Sequence, residues 1–245
     1  MPPLDCLEHV FEDSGMLDVA IRKADGSTAV DWAAVGVRTA PPLPVDPALH
    51  AVLPNGLRRG STVNVSGSLS LLLALLGPAS AAGAWCALVG FPRISAEAAR
   101  EYGVDLSRLA LIPAPGESWT TAVGALLDAI DVVAARPPAR LAPGDVRRLA
   151  ARARSKDAVL MPYGAGWPGA DVRLQAQAGR WVGIGEGSGR LRARPVEVAA
   201  GGRGPSARPR TATLWLPADR GGLGGGLSGE LAETATLAPV IDLAG

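Results

Sequence analysis

Val65-Ser66-Gly67-Ser68-Leu69-Ser70-Leu71-Leu72-Leu73-Ala74-Leu75-Leu76 reads as the end of a strand, a Gly/Ser turn and an apolar helix. That is the layout in which the phosphate-binding loop G-x-x-x-x-G-K-[ST] is found. Its lysine is missing: the two lysines of the chain are Lys23 and Lys156, and Gly67 is followed by serines and leucines. A phosphate cradle needs several backbone N–H groups aimed at the phosphates, a cation on the β/γ oxygens and a hydroxyl for Mg²⁺. The stretch therefore predicts a nucleotide-binding type of core without working hydrolytic machinery.

The same alternation continues downstream. Strands are expected at 61–65, 85–90, 109–113, 131–135 and 158–162, with helices at 69–76, 95–102, 119–129 and 143–155 between them. Such an order argues for an α/β fold with a mostly parallel sheet flanked by helices. In such sheets ligands bind beyond the carboxyl ends of the strands. After Gly169 the pattern changes to period-2 alternation in V-R-L-Q-A-Q-A, W-V-G-I-G, R-L-R-A-R-P-V-E-V and T-A-T-L-W-L, read as antiparallel strands extending one side of the sheet. Residues 1–47 form an acidic appendage ended by a proline cluster, 48–217 the core, and 218–245 a Gly-rich linker with a flexible tail.

Composition sets outer limits. With 245 residues and 48% hydrophobic content, a core of ordinary size is expected, and the 19% charged fraction is low. The formal net charge is +1, but residues 1–50 are acidic and the last hundred are rich in arginine. Cys6 and Cys86 stand far apart without metal-ligand spacing, so neither a disulfide framework nor a thiolate metal site is indicated. The amino terminus lacks a signal-peptide pattern and the leucine run is too short to span a bilayer, so a cytoplasmic protein that does not contact membranes is expected.

Taken together, P-N-G-L-R-R-G-S-T-V-N-V, W-C-A-L-V-G-F with A-A-R-E-Y-G-V-D-L-S-R-L, I-P-A-P-G-E-S-W-T-T-A-V, I-D-V-V-A-A-R-P and V-E-V-A-A-G-G-R-G-P-S-A-R-P-R-T-A-T-L-W-L resemble successive segments of the RecA core. More closely, the chain resembles ImuA-type relatives, which lie beside error-prone polymerases in bacterial damage-inducible mutagenesis cassettes. Against the RecA pattern, leucines from the run Leu69–Leu73 replace the Walker A lysine and threonine. Gly90-Phe91-Pro92 stands for the catalytic glutamate, and Arg136 for the metal-holding Walker B aspartate. Met161-Pro162-Tyr163-Gly164 carries no glutamine sensor.

The candidate site residues fall into three groups. Ser66, Gly67, Ser68 and Arg136 form a vestigial nucleotide loop, with a plain helix N-cap as its ordinary alternative. Arg147, Arg148 and Arg152 on one helix, and Arg190, Arg192 and Arg194 alternating on one strand, are candidates for nucleic-acid phosphate contact. Trp167 in the glycine-rich loop after the fifth core strand, and Leu237, Val240, Ile241 and Leu243 in the tail, are candidates for partner contact. His9 and His50 are the only histidines, and the carboxylate pairs Asp128/Asp131 and Glu97/Glu101 read as solvated helix faces, so no catalytic residue, metal or cofactor is assigned.

The resemblance implies a non-catalytic accessory protein of damage-inducible translesion synthesis, bridging an ImuB-like Y-family subunit and an error-prone C-family polymerase and recruited to the bacterial nucleoid. The alternatives are a modulator that binds RecA filaments or single-stranded DNA, and a divergent ATPase.

Overall fold

The computed structural model describes residues 22–23, 41–184, 189–218 and 221–225. The strands are β1 (Arg22–Lys23), β2 (Val63–Ser66), β3 (Cys86–Val89), β4 (Leu109–Ile112), β5 (Val132–Ala135), β6 (Val159–Pro162), β7 (Val172–Ala178), β8 (Val182–Ile184), β9 (Gly189–Ala193), β10 (Pro195–Gly202) and β11 (Arg210–Trp215). The helices are α1 (Leu69–Ala81), α2 (Ala96–Glu101), α3 (Trp119–Ala129) and α4 (Pro143–Ser155). One set of strands runs β1-β4-β3-β5-β6 and another β11-β10-β7-β2. Parallel bridges from Thr62 to Leu160 and from Val65 to Tyr163 join β2 to β6, making the two sets a single twisted surface.

The parallel strands are buried on both faces, and their side chains divide by parity. Cys86, Leu88, Val132, Ala134, Val159 and Met161 pack into one apolar cluster with α1. Ala87, Val89, Val133, Ala135 and Leu160 pack into the other with α3 and α4. This period-2 division is why the strands read as unbroken apolar runs. Helix α1 is buried on nearly every side, packed between the sheet and the following helix in a cluster that the segment from Leu43 to Leu57 also joins. Leu43 and Leu57 exchange two backbone hydrogen bonds of 2.9 Å, so the folded core begins before residue 48, the boundary expected from the proline cluster.

Three further expectations are corrected. The alternation at 172–178 predicts an antiparallel strand, yet β7 pairs parallel with β2, Val63 opposite Val172. Its alternation arises because only one face of β7 is covered; Arg173, Gln175 and Gln177 face solvent. Only β10 and β11 complete this side in antiparallel register. The first core helix does not stop before Gly77-Pro78 but runs to Ala81. The span expected to be linker from 218 begins with a bridge, since Trp215 and Gly224 exchange hydrogen bonds of 2.8 and 3.1 Å. The segments 226–245 and 1–21 lie outside the described residues.

Candidate functional site

The carboxyl ends of β2, β3, β5 and β6 collect the residues that a nucleotide site would use. Between the last residue of β2 and the first of α1 stand only Gly67 and Ser68. The four intervening residues of G-x-x-x-x-G-K-[ST], whose N–H groups wrap a phosphate, have no counterpart. The turn is also closed from behind: Gly67 has φ +84°, and a Cβ there would lie 1.9 Å from the carbonyl oxygen of Ala176 in β7. Ser68 is the N-cap of α1, its hydroxyl accepting the Leu71 N–H at 3.2 Å, the ordinary duty of serine at that position.

Across the sheet, Arg136 follows β5 directly, its N–H donating to Val89 O at 2.8 Å. Its guanidinium lies 5.3 Å from the ring centre of Phe91, after β3, and 5.2 Å from that of Tyr163, after β6. The two rings are themselves 5.7 Å apart and tilted by 60°. Cation–π contacts of an exposed arginine contribute about 0.5–1 kcal/mol each. The carboxyl end of β5 therefore carries a cation clamped by two aromatic rings. Asn64 secures the strand end beneath, its amide donating to Pro162 O at 3.0 Å and Gly164 O at 2.9 Å. The sequence marked Arg136, Phe91 and Tyr163 as departures; that they touch is decided by the order β3-β5-β6.

The helical arginines are only partly available to a ligand. Arg152 forms a two-pronged ion pair with Asp128 of α3, which Lys156 also approaches at 3.8 Å. The hydrogen bond from Arg152 holds the Asp128 carboxyl below its ordinary range. Arg148 binds Asp145 at 2.7 Å, while Arg147 is exposed. Arg152 is thus a fastener between α3 and α4. Arg192 on β9 and Arg194 just after it are half-buried with their Nε atoms shielded from water, so neither projects freely as expected, and the side chain of Arg190 lies outside the described residues. Arg194 lies 5.1 Å from the ring of Trp181, and its N–H donates to Pro217 O at 3.1 Å. Arg190 lies on β9.

Trp167 is a second correction: it is only 4% exposed and packs against Trp119, ring centres 6.4 Å apart. The glycine-rich loop folds back over α3 and inserts the indole into the cluster below it. Among the described residues the exposed tryptophan is Trp181, at 41%, just before β8, and Leu191 on β9 is exposed at 51%. Nothing in the sequence around Trp181 separates it from a core strand residue. Leu237, Val240, Ile241 and Leu243 lie outside the described residues, as does His9.

Neither carboxylate pair acts as one. Asp131 is buried at the opposite, amino end of β5, accepting from Arg59 at 2.8 Å and from the Trp85 N–H at 2.9 Å, whereas Asp128 is held by Arg152. Glu97 binds Arg100 at 2.7 Å. Among the described residues no group of three histidines, cysteines or carboxylates is placed to hold a metal. No described helix is long and apolar enough to cross a membrane.

Strand order, helix placement and the β2–α1 turn define a RecA-like α/β fold with a shortened, lysine-free loop at the nucleotide position. The comparisons agree with the fold. The crystal structure of the RadB recombinase superposes with a TM-score of 0.55 at 13% identity, over 71% of this chain and 95% of that one. Residues 51–169 match the family model described as the MT3502 N-terminal domain. The uncharacterized protein Rv3395c of Mycobacterium tuberculosis is 39% identical over 125 residues, which are 51% of this chain. The match spans 61% of the length of that mycobacterial relative.

Proposed function

We propose that this protein is a non-catalytic, RecA-like accessory factor of translesion DNA synthesis, a scaffold joining an ImuB-like Y-family subunit to an error-prone C-family polymerase. The observation that carries the non-catalytic part is the two-residue turn from Ser66 to Leu69. Phosphoryl transfer depends on positioning and charge neutralisation, and without the arc, the lysine and the acid there is nothing to position Mg-nucleotide. Arg136, fixed between Phe91 and Tyr163, adds a positive charge where the metal would sit. The partner assignment rests on the resemblance to ImuA-type proteins, and the apolar carboxyl-terminal segment around Leu237 to Leu243 is the contact proposed for it.

Two measurements test the proposal. Calorimetry with Mg-ATP is expected to give no saturable heat, and micromolar binding or Mg-dependent turnover refutes the non-catalytic reading. Co-purification with an ImuB-like protein is expected for the full chain and lost after truncation following Arg220. No association of the full chain refutes the scaffold role, while retained association of the truncated chain moves the contact to the folded core.

A further inference from the structure

We infer that the amino-end face of the sheet, opposite the β2–α1 turn, is a binding surface for the phosphate backbone of duplex nucleic acid. The topology brings distant arginines together there. Arg58 sits in the turn leading to β2, Arg154 on the last turn of α4, Arg173 at the start of β7, Arg203 after β10, and Arg208 and Arg210 at the start of β11. Pairing fixes their proximity: Asn64 is opposite Arg173, Arg173 opposite Gly201, and Ala200 opposite Arg210. Arg58 and Arg203 both approach the Asp171 carboxylate, at 3.9 and 3.8 Å. A Cβ on Gly60 would lie 3.3 Å from Arg154 Cα, which sets the end of α4 against the Arg58 turn.

Among the described residues from β6 to β11, six guanidinium groups therefore share this end of the sheet with the carboxylates of Asp157 and Asp171, while Asp131, at the amino end of the neighbouring β5, is paired with Arg59. Asp128, further along, is neutralised by Arg152 and Lys156. The Arg58 and Arg203 side chains are 66% and 59% exposed despite their shared carboxylate. Arg154, Arg173 and Arg208 are exposed and make no ion pair among the described residues. From β6 across β2, β7 and β10 to β11 the sheet spans about 20 Å at ordinary strand spacing. That length matches about six base-pair steps along the axis of a duplex.

The chemistry favours a duplex over a single strand. Single-stranded nucleic acid is held by exposed aromatic rings on which bases stack; among the described residues at this end Trp85 is only 5% exposed, and the exposed Trp181 is placed before the β8–β9 hairpin at the other end of β10. Arginine forks match phosphate oxygens without reading bases, so the binding would be sequence-independent and strongly dependent on salt. This surface is separate from the partner contact proposed above, and either can fail without the other.

The test is fluorescence anisotropy of a short labelled duplex with the full chain over rising salt. Binding is expected with log affinity falling linearly in log salt, by about 0.9 per phosphate contact. Replacing Arg154, Arg173 and Arg208 by glutamate, which breaks no ion pair, should weaken binding by about tenfold or more and flatten the slope by about 2.7. Arg58→Ala with Arg203→Ala should act in the same direction, with folding checked by circular dichroism. Arg93→Glu, an exposed residue that follows β3 at the opposite, carboxyl end of the sheet, should leave binding unchanged. Absence of binding, salt-independent binding, or wild-type affinity in the folded triple variant overturns the inference. Tighter binding to a single strand, or displacement by polyglutamate as effective as by duplex at equal charge, overturns the duplex assignment.

Discussion

Gly77 lies inside α1 just before Pro78, and replacing it by alanine sets two effects against each other. Helix propensity alone favours alanine by about 1 kcal/mol. Against this, the added methyl would stand 1.7 Å from the carbonyl oxygen of Tyr102 and 2.9 Å from its carbonyl carbon. A carbon beside a carbonyl oxygen needs about 3.3 Å, so relief requires a main-chain movement of about 1.6 Å. Neither side yields easily. Tyr102 is tied by the turn that ends α2, with Tyr102 N–H on Ala99 O, Gly103 N–H on Arg100 O and Val104 N–H on Ala99 O. Helix α1 is itself buried along nearly its whole length in the main apolar cluster. Overpacking of this kind costs about 1–3 kcal/mol, at the upper end where both atoms belong to backbone. The net expectation for Gly77→Ala is a loss of about 2 kcal/mol, or about 4–8 °C in Tm for a chain of this size. Urea unfolding should show a lower midpoint at unchanged slope. A midpoint equal to or above wild type would refute the close approach of α1 to the end of α2.

Asp131→Ala strands Arg59 and the Trp85 N–H in a site where the paired side chains are only 13% and 7% exposed, and should cost about 3–5 kcal/mol. Arg59→Met with Asp131→Leu should be less destabilised than Asp131→Ala in the same urea assay; a double variant at least as unstable would argue against burial as the source of the cost. Because Arg152 lowers the Asp128 pKa on folding, that pair adds stability above the ordinary carboxylate range and loses it as pH falls through the lowered value. Arg152→Met should therefore show a shallower loss of stability on acidification, and an unchanged acid profile would contradict the linkage. Burial, reinforced by the charge of Asp131, pushes the Cys86 thiol far up, so in a Cys6→Ser background a thiol reagent should react only on unfolding. Rapid modification of the native protein would contradict the packing of β3.

The parallel core was legible because strands covered on both faces must be apolar at every position, as in Cys86–Val89 and Val132–Ala135. The loss of the lysine was equally plain, since it is a question of residue identity. Trp167 and Trp181 were not distinguishable, because burial of an indole depends on whether a loop folds inward, which no local pattern encodes. The helical arginines looked alike in sequence, yet Arg152 is matched by an Asp128 that lies 24 residues away. Gly77-Pro78 looked like a helix end, and became a crossing point only because α2 approaches there.

What the sequence determined by itself is chemical: which residues are absent from the nucleotide position, and which segments are apolar enough to be strands or helices. Tertiary structure alone decided which charges meet. Arg136 became a clamped cation because β5 lies between β3 and β6, and Arg58, Arg154 and Arg203 became neighbours because β2 runs between β6 and β7. Coulomb and cation–π interactions act over a few ångströms in space, and distances of that size between residues far apart in the chain are set only when the sheet order is set.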